Sequence, residues 1–167
     1  MPRNAAVSAL DPWPDTVVWR PVSRKLIAVE LIRFAFGLAF LFVAVVIANL
    51  FGWPYTAATV GVLVAYALLR GIAIVRAVLV WGYAERERDM LVRHGLLIRR
   101  LSIVPYARLQ FVDVTAGPLE RAFSLATVQL HTASAASDAR VPGLPPAEAA
   151  RLRDRLAALG EDQGEGL

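Results

Sequence analysis

No cysteine occurs among the 167 residues. That excludes disulfides, thiolate metal sites and a cysteine nucleophile, and it fits a reducing cytosol. Histidine is nearly as scarce, with only two, His94 and His131. Both are expected on the surface, His94 in a turn and His131 on the polar face of a strand. No HExxH, no GxSxG and no glycine-rich phosphate loop is present. Ser102, Ser124 and Ser134 have no histidine at motif spacing, and Asp113 and Glu120 are too isolated to read as a carboxylate pair. The sequence therefore predicts no enzyme, with no catalytic, cofactor-binding or metal-binding residues and no cofactor.

The most telling absence is local. Between Arg33 and Arg70 there is no Asp, Glu, Lys, Arg or His. A membrane-crossing helix needs about 20 mostly apolar residues, and this run with its flanks is roughly twice that. Gly52, Trp53, Pro54, Tyr55 and Thr56 interrupt it, where proline and glycine favour a break. Two transmembrane helices are expected, 26–50 and 56–74. They account for a hydrophobic content of 57% and a mean hydropathy of +0.51, high for a soluble protein. The net charge of +4 is assigned to arginines near helix ends, and no nucleic-acid partner is expected.

Arg20, Arg24, Lys25 and Arg33 precede the hairpin, Arg70 and Arg76 follow it, and its turn has no basic residue. The positive-inside rule then places both termini in the cytoplasm. A cleavable signal peptide is not expected, because the apolar run starts about thirty residues in. Trp19 suits a membrane interface. Glu30 and Arg33, three apart, share a helix face and can pair there. Ala57, Gly61 and Ala65 form a small-residue line that lets helices approach closely.

After Arg76 the pattern changes to short strands. Residues 78–83 are strand-like in type, 90–93 is a strand, and His94-Gly95 signals a hairpin turn. Residues 96–104 return as a strand that Pro105 stops. Residues 108–115 and 126–133 are further strands, separated by a connector at 119–125. Residues 134–138 read as a loop, and 140–142 as a short edge strand. Pro145-Pro146 opens a helix whose Ala149, Leu152, Leu156 and Leu159 make one apolar stripe. Gly160 is expected to end it.

Six pieces in order carry a resemblance: Gly95-Leu96-Leu97-Ile98-Arg99-Arg100, Ile103-Val104-Pro105, Arg108 through Val114, Gly117-Pro118-Leu119-Glu120-Arg121-Ala122-Phe123, Thr132-Ala133-Ser134, and Gly143-Leu144 with Glu148-Ala149. Together they resemble the bacterial pleckstrin-homology-like domain of the YdbS/YdbT membrane-protein group. The resemblance implies a two-helix transmembrane hairpin followed by a PH-like, strongly bent, seven-stranded antiparallel sheet or partial barrel, capped by the C-terminal helix. Phe123-Ser124-Leu125 departs from the family, which often has glycine before the leucine.

The expected division is an N-terminal cytoplasmic segment (1–25), a transmembrane hairpin (26–76), a PH-like domain (77–160) and a disordered acidic tail (161–167). The expected protein is a multi-pass protein of the bacterial inner membrane. Its cytoplasmic domain mediates protein–protein interaction or self-assembly, with a second copy or a related membrane protein as partner. The alternative is a module that binds anionic lipid or senses membrane state. Arg93, Arg99, Arg100 and Arg108 are the candidate contacts for a headgroup or a partner, and membrane lipids are expected neighbours. Arg108, Gln110, Asp113, Glu120, Arg121 and Thr132 are read as ties between strand ends near Gly117-Pro118.

Overall fold

The computed structural model describes residues 17–133 and 138–164, the last four by backbone alone. The expectations of a loose N-terminus and of a loop after Ala133 fall largely outside these residues. Helix α1 (Lys25–Leu50) and helix α2 (Thr56–Val80) are 26 and 25 residues long, and both are apolar enough to cross a membrane. The break between them is built as the sequence suggests. Gly52 adopts φ 80°, and the Thr56 hydroxyl donates to the Trp53 carbonyl at 2.9 Å. Phe34 and Tyr66 meet edge to face at 5.9 Å and tie the helices together. Their outer surfaces expose Phe36, Phe40, Leu68 and Leu69, an apolar area that suits lipid and not water.

Helix α2 runs six residues beyond its expected end at Ile74. Residues 78–80 are strand-like in type, but Val78 is buried in the domain core, and tertiary packing overrides propensity. Strand β2 (Gly82–Glu85) starts directly after Trp81. Strand β1 (Arg20–Pro21) lies before the hairpin yet pairs with β2, Arg20 opposite Tyr83. Strands β3 (Asp89–His94) and β4 (Arg100–Pro105) complete an antiparallel sheet in the order β1-β2-β3-β4.

The return strand starts later than expected, at Arg100 instead of residue 96. Gly95 adopts φ +99°, and a Cβ on it would lie 2.0 Å from the Ile98 carbonyl oxygen. So tight a turn sets His94 opposite Arg100 and leaves residues 95–99 as a loop. After Pro105 a 3-10 turn (Tyr106–Arg108) carries the chain to a second sheet, which takes Arg108 out of the expected strand.

The second sheet has the order β5-β6-β7, with β5 (Leu109–Thr115), β6 (Ala126–Thr132) and β7 (Ala139–Leu144). The expected connector is the short helix α3 (Pro118–Ala122). Ser124 follows it at φ 54°, in the left-handed region where the family's glycine sits without strain. Here serine bears the cost of that conformation. Among the described residues, seven strands in two sheets agree with the resemblance, and they form no closed barrel.

Helix α4 (Pro146–Gly164) buries Ala149, Leu152 and Leu156 against the second sheet and the 3-10 turn. It does not stop at Gly160, which is not among the glycines of positive φ. Residues 161–164 are therefore helical and not a disordered tail. The core also takes in Val22 from the segment before α1, Leu26 and Val29 from the start of α1, and Val78 from the end of α2. The feet of both helices are thus part of the domain.

Candidate functional site

The face of the domain turned toward the hairpin follows from connectivity. Strand β2 leaves the foot of α2, so β3, antiparallel to it, returns to that foot. The β3–β4 loop lies at this end. His94, the last residue of β3, stacks on Trp81 with ring centroids 5.0 Å apart. It is therefore packed, not the exposed turn residue expected. Burial, then the charges of Arg100 and Arg140, push its pKa down. Beyond it the loop tip presents Leu97, 94% exposed, and Ile98, 68% exposed, with Arg99 and Arg100 next in the chain. Trp19 lies on the same side, its ring 4.6 Å beneath the Arg93 guanidinium.

Between the hairpin and the domain is a cavity of about 240 Å³, with Glu30, Arg33, Arg70, Glu120, Thr127 and Arg140 in its wall. Arg33 pairs with Glu30 at 2.8 Å, as their spacing suggests, and also reaches Glu120 at 3.5 Å. Glu120 is 7% exposed and its oxygens are taken. Gly117 N–H donates to Oε2 at 2.8 Å, and the Thr127 hydroxyl donates to Oε1 at 3.1 Å. A buried carboxylate needs such partners. Glu120 does tie the Gly117-Pro118 turn, as expected, but the same group also anchors α1. Arg70 and Arg140 have no carboxylate within 4.0 Å among the described residues; Arg140 lies 6.0 Å from the Trp81 ring.

The chain matches the family described as Bacterial PH domain over residues 27–160. It belongs to the bacterial PH domain family. It is also 35% identical, over 135 residues, to the UPF0699 transmembrane protein YdbS of Bacillus subtilis (strain 168), an alignment covering 78% of this chain and 82% of that one. No solved structure matches. With two helices of crossing length, this bacterial PH protein is a membrane protein.

In this PH domain the four candidate arginines do not converge. Arg93 opposes Leu101 and His94 opposes Arg100. Side chains alternate along strands, so Arg93 and Arg100 lie on opposite faces of the β3–β4 hairpin. Arg99 and Arg100 sit at the exposed tip. Arg108 lies beyond Pro105, at the other end of β4, roughly 20 Å away at the usual strand rise. The tip and the cavity gather other residues that the strand reading passed over. Leu97 and Ile98 fall in the strand expected over residues 96–104; the signal for a tip is an apolar pair between Gly95 and two arginines.

A third cluster fastens the PH domain itself. Glu85, with its side chain 7% exposed, meets Arg151 at 2.7 Å, Arg155 at 3.3 Å and Arg20 at 3.8 Å. Glu148 meets Arg151 at 2.7 Å and Arg20 at 3.2 Å, and accepts from the Tyr83 hydroxyl at 2.8 Å. The Arg151 hydrogen bond chiefly holds the Glu148 carboxyl at about 2. Burial, then Glu148, pushes the Tyr83 hydroxyl up to about 12. The cluster clamps β1, β2 and α4 together. His131 is likewise structural: it stacks on Phe111 at 4.3 Å, with Nδ1 3.2 Å from an Asp138 oxygen.

Proposed function

We propose that this protein is a non-catalytic inner-membrane protein whose α1 and α2 both cross the bilayer. Its termini are cytoplasmic, and its PH domain is a lipid-facing module seated against the cytoplasmic leaflet. One observation carries the reading: Leu97 and Ile98 stand almost bare at a loop tip on the hairpin side, with Arg99 and Arg100 beside them. An apolar tip with adjacent basic residues suits an anionic leaflet, each cation contributing about 1 kcal/mol near the surface.

Depth supports the seating. Arg33 is about 12 Å along α1 from Lys25, and Arg70 about 15 Å along α2 from Val80, at 1.5 Å per residue. They bound the uncharged run, while Trp53 and Tyr55 occupy its far turn, as interface aromatics do. The domain-side ends of both helices then lie in and below the headgroup layer. That layer is about 5–8 Å thick per leaflet, within reach of the tip. The basic residues around the hairpin support the cytoplasmic orientation.

The second reading is the protein partner or second copy. Its support is that β4 is the outer strand of its sheet and exposes Ile103. Such an edge offers backbone groups to a visiting strand. Amide hydrogen exchange of the full chain in nanodiscs tests both. Slower exchange of residues 95–99 in phosphatidylglycerol discs than in phosphatidylcholine discs is expected. Unprotected exchange of this loop in both refutes the seating, and protection confined to β4, whatever the lipid, favours the partner.

A further inference from the structure

We infer that the cavity between hairpin and domain binds a phosphate group, and that it lies at the depth of the inner-leaflet phosphates. This rests on the membrane placement proposed above and names a ligand for a site separate from the loop tip.

The charges point to an anion. Three guanidiniums face the cavity from three elements: Arg33 on α1, Arg70 on α2 and Arg140 on β7. Glu30 and Glu120 engage Arg33, and the Glu120 oxygens are held by Gly117 N–H and the Thr127 hydroxyl. Arg70 and Arg140 remain without a carboxylate within 4.0 Å among the described residues. Two such cations repel each other across a shared space, and an anion between them relieves that repulsion. Every cation in the wall is arginine, whose planar fork matches phosphate oxygens.

The balance also selects the kind of phosphate. Three arginines against two glutamates leave one net positive charge. That suits a singly charged phosphodiester better than a polyphosphate, which the glutamates would repel. The apolar side chains of Ala73 and Ile74 in the wall suit an acyl segment. Arg33 and Arg70 sit where the uncharged run ends, so a diester there can keep its chains in the hydrocarbon.

Native mass spectrometry of the full chain in neutral detergent tests this with dioctanoyl-phosphatidylglycerol as probe. Wild type is expected to retain one molecule. Arg70→Gln with Arg140→Gln is expected to weaken retention about thirtyfold, and either alone about fivefold, from the contribution of each cation. Should the double variant fail to fold, Arg70→Gln alone carries the test, since Arg70 pairs with nothing that the core needs. Equal retention by wild type and variant overturns the site. Leu97→Ser with Ile98→Ser removes the tip and leaves the cavity, so it should retain the probe as wild type does; loss here would move the lipid to the tip and overturn the assignment. Micelles require no leaflet seating, so a failure of the seating leaves these results unchanged. Displacement by excess inorganic phosphate would confirm the phosphate chemistry with a soluble source, and resistance to it would confirm the lipid.

Discussion

Replacing Gly143 by alanine tests whether the hairpin and the domain share one core. Gly143 lies on β7 at φ +70°, and a Cβ there would meet Leu26 Cβ and Cδ2 at 2.9 Å. Leu26 is 3% exposed, and Ser23 N–H donates to the Gly143 carbonyl at 3.0 Å. Left-handed backbone costs an alanine about 1–2 kcal/mol, and overpacking adds about 1–3 kcal/mol. We expect Gly143→Ala to cost about 3 kcal/mol, and Leu26→Ala, which opens a cavity, about 3 kcal/mol. In the double variant the contacts to Leu26 Cγ and Cδ2 disappear while the 2.9 Å contact to Cβ stays, and the new methyl partly fills the cavity. The pair should then cost about 1 kcal/mol less than the sum, outside ordinary additivity. Thermal unfolding of the full chain in neutral detergent, followed by tryptophan fluorescence, resolves this, since 1 kcal/mol moves the midpoint of a small domain by about 4–8 °C. Costs that add to within about 0.5 kcal/mol would refute the shared core.

Arg151→Ala should cost about 2–3 kcal/mol in the same unfolding assay. The nearly buried Glu85 keeps Arg155 and Arg20, so the loss falls short of a fully orphaned buried charge; a change under 0.5 kcal/mol would show that the clamp is idle. Glu148 makes a prediction about acid. Its carboxyl lies at about 2 in the folded protein against an ordinary 4.5, so its contribution is fully present above about pH 5 and is lost as pH falls through 2. Solvent screening keeps this to about 1 kcal/mol; Glu148→Gln should flatten that part of the stability profile, and an unaltered profile counts against the clamp. Ser124→Gly should raise the midpoint, because it removes left-handed strain of about 1 kcal/mol, and a lowered midpoint would contradict that account.

Much of the architecture was legible because its signals are local. The uncharged run between two arginines, the Gly52-Pro54 break and the apolar stripe of α4 each need only a few neighbouring residues. The errors arose where distant contacts decide. Val78 continues a helix because the domain core receives it, and Arg20–Pro21 become a strand because β2 lies alongside. Gly160 stays helical where glycine commonly ends helices. The candidate site was legible in part. Glu30 and Arg33 showed their pairing through spacing, but Glu120 joins them from α3, and Arg140 faces the same space from β7. Nothing near either residue in the chain signals that. The four candidate arginines do not gather into one patch, because Arg93 and Arg100 lie on opposite faces and β4 separates Arg108 from the tip.

The seating of the domain is tested most directly by the depth of the loop tip. The chain has no cysteine, so Leu97→Cys gives a single labelling site for an environment-sensitive dye. In full-length protein reconstituted into phosphatidylglycerol vesicles, we expect blue-shifted emission, quenched by nitroxide lipids labelled near the headgroup and shielded from aqueous iodide. Emission typical of water, with quenching by iodide and none by the nitroxide lipids, would contradict it.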